Sequence, residues 1–543
     1  MERIKKRLSF NRKSAFAEPV KLRKRKSKLY SQEDANSQYE KGFLGVNLSF
    51  VLFTVMFRLV NCCLVKTSFV PDEYWQSLEV AHNMVNSFLF QFLNGLKYGY
   101  LTWEWTEGLR SYSYPLFFAS IYKMLHLLNK DTVELLIWGP RLAQALLAAL
   151  SDIKLYSLVK KLENENIAKL VYFSQLCSWF SWYCCTRTLV NTMETVLTTV
   201  ALYYYPFQGS KAQNSSKYLA LVALAVVMRP TAVIVWLPLV SYHFWQEDTK
   251  LNLVLHHAMP VGLLTLGIST LVDRVFSGKW ILVQLNFLKI NVLQNVAVFY
   301  GSHPWHWYLT QGFPVVLGTH LPFFIHGSML APKRYRILLA AVIWTVLVYS
   351  LLSHKEFRFI YPVLSFCMVF CGYSLASLKT WKKPAVCFLV LSNLLPALYT
   401  GLIHQRGTLD VMNHIQQLCK ESNSPTNTEV SVFFLMPCHS TPFYSHVHCP
   451  ITMQFLQCPP DLTGNKSYID EAEIFFSDPV RWLEAHFPNQ TVLSTHLVFF
   501  EVLEKEISPF LERNSYVKTS EFFHTHVPEG RVGRNIYLYE RQA

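Results

Sequence analysis

Eleven long apolar runs constrain this chain more than anything else in it. They are Phe43–Val65, Ile137–Leu158, Ala168–Thr186, Val190–Tyr205, Tyr218–Met228, Thr231–Trp245, Val254–Phe276, Gly312–Leu330, Ile337–Leu352, Ile360–Leu378 and Ala385–Ile403. Several approach the length that a bilayer core of about 30 Å requires of a helix. Hydrophobic residues make up 51% of the 543 and charged residues only 16%, a depletion expected of a polytopic membrane protein rather than a string of soluble domains. Arg229-Pro230 splits the shortest pair of runs.

The basic loops set the orientation. Residues 1–41 hold 13 Lys/Arg against 5 Asp/Glu, so +8 of the net +14 precedes the first span. A nucleic-acid arm is one reading of Lys21 to Lys28. A cytosolic tail obeying the positive-inside rule is simpler. No cleavable signal peptide is expected, the first span serving as anchor. Alternating spans then place Lys160-Lys161, Lys211/Lys217, Lys250, Lys333-Arg334-Arg336 and Lys379/Lys382-Lys383 on the cytosolic side. An odd count puts residues 404–543 in the lumen. Sequons at Asn465 and Asn489 fall there and should be glycosylated, whereas Asn214 falls in a cytosolic loop. The apolar piece Leu116–Leu128 is expected to lie along the interface instead of crossing.

Three parts follow: a basic cytosolic tail (1–42), a transmembrane catalytic part (43–404, with its first lumenal loop at about 66–136) and a lumenal C-terminal domain (405–543). The last has turn-rich composition and β-leaning runs at Val430–Leu435, Leu497–Val502 and Ile536–Tyr539, predicting a small α/β domain. Its Cys419, Cys438, Cys449 and Cys458 allow two disulfides in three connectivities. A zinc site from Cys438, His439, His446, His448 and Cys449 is the less economical alternative.

Candidate chemistry gathers on the lumenal side. Val70-Pro71-Asp72-Glu73-Tyr74-Trp75-Gln76 follows the first span. Pro71 disfavours continuing that helix, so the two carboxylates are expected to leave on a turn, with Tyr74 and Trp75 as interfacial anchors. Trp103-Glu104-Trp105-Thr106-Glu107 with Arg110, the loop of His303, Pro304, Trp305 and His306, and His354-Lys355-Glu356-Phe357-Arg358 complete the set. Ionisable residues at membrane depth are costly and point to function. Sugar transfer from a lipid phosphate needs a carboxylate base, cations for the departing phosphate and aromatic faces for sugar rings. Interface anchoring of Arg110, Arg358 and the tryptophans, and a plain ion-paired loop at His354–Glu356, remain alternatives. No Gly-rich phosphate loop supports nucleotide chemistry, and no internal repeat favours a transporter.

Pro-Asp-Glu-Tyr-x-Gln after the first span and His-Lys-Glu-x-Arg-Phe late in the chain resemble glycosyltransferase family 22, the dolichol-phosphate-mannose-dependent mannosyltransferases. The resemblance covers roughly residues 43–540, including Leu101–Glu107, Ser302–Tyr308 and Met436–Pro442. It implies a GT-C glycosyltransferase fold of about eleven transmembrane helices in the endoplasmic reticulum membrane. It also implies a lumenal active site, no metal or other cofactor, and inverting transfer from dolichol-phosphate-mannose to a GPI precursor, adding its third mannose in α-1,2 linkage. Oligomeric partners are not implied. Carried over, Asp72 is the general base and Glu73 its neighbour. Arg110, His354, Lys355 and Arg358 are candidates for the donor phosphate, and Tyr74, Gln76, Trp103, Glu104, Trp105, Glu107, His303, Trp305 and His306 for substrate contacts. Val70 departs from the family's usual His before Pro-Asp-Glu. The stretch Asn86–Lys97 is longer than the family pattern and is expected to be an insert lying on the membrane surface or over the cavity mouth. Another mannosyltransferase of the N-glycan or GPI pathway, a lipid transporter and a non-catalytic subunit are the competing readings.

Overall fold

The computed structural model describes residues 46–90, 99–207, 215–422, 430–463, 465, 467–487 and 493–542. The basic tail 1–42, Lys211, Asn214, Gln91–Lys97 and Asn489 lie outside the described residues. Contacts divide the chain into two units, Met1–Phe53 and Thr54–Ala543. Everything below except the first turns of the first helix belongs to the second unit.

Over their described residues, all eleven apolar runs are largely helical. They form α1 (Leu48–Leu64), α4 (Val133–Leu162), α5 and α6 (Glu165–Cys177 and Trp179–Cys184), α7 (Val190–Tyr204), α8 (Ser215–Met228) and α9 (Ala232–Gln246). The later ones are α10 (Lys250–Ser277), α11 (Tyr308–Leu330), α12 (Lys333–Leu351), α13 (Phe357–Ser377) and α14 (Lys382–Leu402). Among the described residues, six helices are long and apolar enough to cross a membrane alone. The protein is a multi-pass membrane protein.

The run expected as one span at Ala168–Thr186 is broken. Ser178 leaves the helix at ψ 119° and caps α6, its hydroxyl accepting from Ser181 N, while Asn393 of α14 accepts from Trp179 N. Side-chain caps of this kind satisfy the backbone donors that a helix break frees. At the centre runs α13, buried nearly throughout. Small residues let its neighbours approach. A Cβ on Gly327 of α11 would sit 1.8 Å from the Phe370 carbonyl oxygen, and one on Gly372 would sit 2.3 Å from Val171 of α5. Glycine at such crossings permits the close backbone contact by which helices pack where no hydrophobic force drives them together. Two of the basic loops meet at one end of the bundle, where Arg334 pairs with Glu163 at 3.4 Å and Lys160 with Glu165 at 3.1 Å.

At the other end, Pro71 begins a helix rather than a turn. Pro at a first helical turn removes a donor that would be unpaired anyway. The backbone continues through a π-helical turn, Tyr74–Leu78, into α2 (Glu79–Phe90). The longer stretch Asn86–Lys97 therefore begins as the last turn of α2. Helix α3 (Ser113–Leu127) packs on α2 and α4, burying Tyr114, Phe118 and Tyr122 and exposing Met124 and Leu127. It covers most of the apolar piece Leu116–Leu128.

After α15 (Gly407–Ser422) comes a five-stranded sheet in the order β2-β1-β3-β5-β4. Its strands are β1 (Ser431–Phe434), β2 (Thr452–Phe455), β3 (His496–Phe500), β4 (Tyr516–Phe523) and β5 (Asn535–Arg541). The pairs β1–β2 and β1–β3 are parallel, and β3–β5 and β4–β5 antiparallel. Strand alternation gives the sheet two cores. Phe433, Leu497 and Phe499 pack on the outer helices α16 (Glu471–Ser477), α17 (Pro479–His486) and α18 (Glu504–Arg513). Val432, Phe434, Val498 and Leu538 share a core with Tyr74, Trp75 and Leu78. Disulfides join Cys419 to Cys449 and Cys438 to Cys458. That pairing overturns the zinc alternative, because both of its cysteines are consumed.

Candidate active site

Adjacent residues on a helix point about 100° apart, and Asp72 and Glu73 consequently enter different surroundings. Glu73 is buried and takes a 2.8 Å ion pair from Arg187, which also donates to Thr67 Oγ1 at 2.9 Å and to the Tyr183 carbonyl at 2.8 Å. Asp72, one quarter exposed, faces a cavity of about 390 Å³.

Arg358 stands over it. One guanidinium nitrogen lies 2.6 Å from Asp72 Oδ2, while Nε and Nη2 grip Glu356 in a two-pronged contact at 2.7 and 2.6 Å. Such forked pairs fix the plane of the guanidinium as well as its charge. His354 Nε2 also meets Glu356, at 3.1 Å. Burial works against the charged imidazole, but that carboxylate outweighs it and raises the His354 pKa. Burial pushes the Glu356 pKa up, and Arg358 and His354 more than reverse this, holding it well below the usual range. Across the cavity Arg110 pairs with Glu104 at 2.9 Å, and Gln76 donates to the same carboxylate at 3.3 Å. Trp103 Nε1 donates to Tyr300 at 2.8 Å. Asp72, Gln76, Trp103, Glu104, Arg110, His354 and Arg358 all line this one cavity, drawn from three distant stretches of sequence.

The other expected site residues stand elsewhere, except that Trp75 also reaches the cavity edge. Tyr74 and Trp75 are not interfacial anchors. Tyr74 packs on His446, and Trp75 packs on Phe443 and donates to the Thr441 carbonyl at 2.9 Å, docking the sheet domain. Trp105 is buried against Tyr112, and Glu107 is exposed, its carbonyl receiving Asn286. The side chains of His303, Trp305 and His306 point to the exterior. Their segment buttresses the cavity from behind. His303 N donates to the Ser353 carbonyl at 3.0 Å, Lys355 Nζ donates to the His303 carbonyl at 2.9 Å, and Tyr308 OH donates to the Glu356 carbonyl at 2.9 Å. Lys355 is thereby turned away from the cavity that holds Arg358.

Two residues line the cavity that the sequence did not place there, His439 having suggested only a zinc ligand. Arg229, at the Arg-Pro break between α8 and α9, lines the cavity and pairs with buried Glu194 at 2.8 Å. An ionisable residue between two apolar runs was the signal available. The second, His439, reaches the same cavity from the sheet domain, and burial lowers its pKa to about 4. Among the described residues no cluster of His, Cys, Asp and Glu could hold a metal ion.

A sequence model of the Alg9-like mannosyltransferase family matches residues 49–448. The chain is 65% identical over 524 residues to GPI alpha-1,2-mannosyltransferase 3 of Homo sapiens, covering 96% of this chain and 92% of the relative. It is 62% identical over 544 residues to the protein of that name in Xenopus laevis, covering all of both. GPI mannosyltransferase 3 of Drosophila melanogaster is 40% identical over 474 residues, covering 85% of this chain and 81% of the relative. Among solved structures, ArnT from Cupriavidus metallidurans in its undecaprenyl-phosphate-bound state superposes with a TM-score of 0.56. Its sequence identity is 13%, and 90% of this chain and 97% of that one are covered. At that identity the likeness speaks for the fold alone, and the fold is GT-C.

Proposed function

Since the chain belongs to the Alg9-like mannosyltransferase family and is a mannosyltransferase, we propose that it transfers mannose from dolichol-phosphate-mannose to a GPI-anchor precursor. The product carries its third mannose in α-1,2 linkage. The work is done in the endoplasmic reticulum membrane, with the cavity facing the lumen and the basic loops the cytosol. Support for the acceptor comes from relatives named for that reaction. The meeting of two basic loops at the end of the bundle away from the cavity supports the orientation.

One observation carries the mechanism: of the two adjacent carboxylates, only Asp72 opens to the cavity, beside Arg358. The acceptor hydroxyl oxygen attacks C1 of the donor mannose. Its proton passes to Asp72, the C1–O bond to phosphate breaks, and dolichyl phosphate leaves. A single displacement on a β-linked donor yields an α product. Arg358 and Arg110 face the charge that develops on the phosphate, where preorganised cations are worth most. An arriving phosphate also gives Arg358 a third anionic partner beside Asp72 and Glu356, which frees Asp72 to accept the proton. Glu73 acts as a buried structural anion, and no metal or other cofactor takes part.

Lipid analysis of cells lacking the protein tests this reading. A GPI precursor with two mannoses should accumulate, and the wild-type chain should clear it. Accumulation of an N-glycan precursor instead would refute the acceptor assignment.

A further inference from the structure

Beside the arginine-lined cavity lies a second, smaller one of about 230 Å³. One wall is the stretch Tyr100–Thr106 and the other belongs to the sheet domain, at His439 and Gln457–Pro459. Thr102, Trp103 and His439 line both cavities, so the smaller one adjoins the space into which Asp72 projects. The two differ in charge. Arg110, Arg229 and Arg358 line the larger, whereas no Asp, Glu, Lys or Arg lines the smaller. An anion has charged partners in the first and none in the second.

We infer that the smaller cavity is the subsite for the terminal sugar of the acceptor, a neutral pyranose, and that the sheet domain supplies half of it. This rests on the reading of the protein as a transferase acting on a glycan acceptor. Its volume lies below the roughly 300 Å³ at which pockets for drug-sized ligands begin, a size suited to one sugar ring and not to a lipid chain. Its polar groups suit hydroxyls. Thr102 is only 6% exposed and its Oγ1 has no hydrogen-bond partner among the described residues, a cost that a ligand hydroxyl would remove. Gln457 Oε1 accepts from Tyr100 OH at 2.6 Å, which ties the two walls together and leaves the amide N–H₂ to donate. The Tyr100 and Trp103 rings offer apolar faces of the kind that pack on sugar C–H surfaces. His439 stands between Trp75 and Phe455, with ring centroids at 4.7 and 5.3 Å, and its uncharged imidazole both donates and accepts. The Cys438–Cys458 disulfide holds His439 and the Gln457 wall in register.

The test is steady-state transfer by the purified full-length protein in detergent, using dolichol-phosphate-mannose and a synthetic dimannosyl GPI analogue. Gln457→Ala and, separately, Thr106→Tyr, which fills the cavity from an exposed position, should each raise KM for the acceptor about tenfold. KM for the donor should stay unchanged. A soluble α-linked dimannoside should inhibit the wild type competitively against the acceptor and lose potency against both variants. Thermal melts equal to wild type would establish that the variants fold, and the exposed Thr106 position guards against failure of the other. Acceptor KM unchanged in both variants, or a rise in donor KM instead, would overturn the subsite. Absence of any transfer to the GPI analogue by the wild type would instead overturn the functional reading on which it stands.

Discussion

Pro71 starts a helix whose next two residues carry carboxylates into unlike surroundings, and substitutions should separate them. Glu73 and Arg187 are both buried, at 5% and 1% side-chain exposure. Removing one partner of such a pair leaves an uncompensated charge, at a cost of about 3–5 kcal/mol. Glu73→Gln should therefore lower expression and melting temperature, and any loss of turnover should track the loss of folded protein. Fluorescence-detected size exclusion with heating measures this. The cations divide likewise. Arg358 lines the cavity, while Lys355 donates to the carbonyls of His303 and Leu352. Arg358→Ala should raise KM for the donor by tenfold or more, of the order expected when a charged hydrogen bond is lost. Lys355→Ala should leave donor KM near wild type and instead lower thermal stability. Equal effects of the two on donor KM would contradict this assignment.

At the scale of elements, α2 is the joint between bundle and sheet domain. Glu79 is buried and accepts from Phe443 N at 2.8 Å, from Ser445 N at 3.1 Å and from the Ser445 hydroxyl. Burial raises its pKa to about 7, despite those hydrogen bonds. A carboxyl whose pKa is raised on folding contributes stability that is complete below the unfolded value, near 4.3. That contribution is lost as pH rises through the folded value, here about 7. Docking of the sheet domain should thus weaken between about pH 4.3 and pH 7. Glu79→Gln should flatten that dependence with little loss of stability. Glu79→Ala, which strands two buried backbone donors, should cost about 1–3 kcal/mol. Protease sensitivity of the sheet domain against pH distinguishes these outcomes. How much was legible in the sequence follows from how far each signal reaches. Hydropathy is local, so all eleven apolar runs were visible, but the break at Ser178 within one of them was not. Also visible were β1, β3 and β5, with their compact apolar runs. The edge strands were not: β2 is four residues long, and β4 carries Lys518, Thr519, Ser520 and Glu521 on an exposed rim. Tyr74, Trp75 and Glu73 were misplaced because their partners lie more than 100 residues away and adjacent positions reveal nothing of helix rotation. The cavity residues Asp72 and Arg358 stood out as charges near span ends, and Arg110 as a cation beside the aromatic cluster of the first lumenal loop. His439 stood out only beside cysteines in a polar tail, where it suggested a metal ligand and not the cavity.

For the molecule as a whole, the proposed orientation places the sheet domain and the cavity together in the lumen. Asn465 is exposed there, and both the amide and the hydroxyl of Ser467 donate to its side-chain oxygen, at 3.0 and 2.8 Å. Glycosidase treatment of the cell-expressed chain should shift its mobility, and Asn465→Gln should remove that shift or, if Asn489 is also occupied, reduce it. A chain carrying no glycan at Asn465 while modified at Asn214 would invert the proposed topology. The whole arrangement converges on one side chain, because bundle, α2 and sheet domain together present Asp72 and its arginines to a shared space. The most direct measurement is transfer of labelled mannose from dolichol-phosphate-mannose to a two-mannose GPI precursor by purified wild type and Asp72→Asn. The wild type should form a three-mannose product sensitive to an α-1,2-mannosidase. Asp72→Asn should melt like the wild type and transfer at least about 100-fold more slowly, the scale of a lost general base. Wild-type turnover by a folded Asp72→Asn protein would contradict the account.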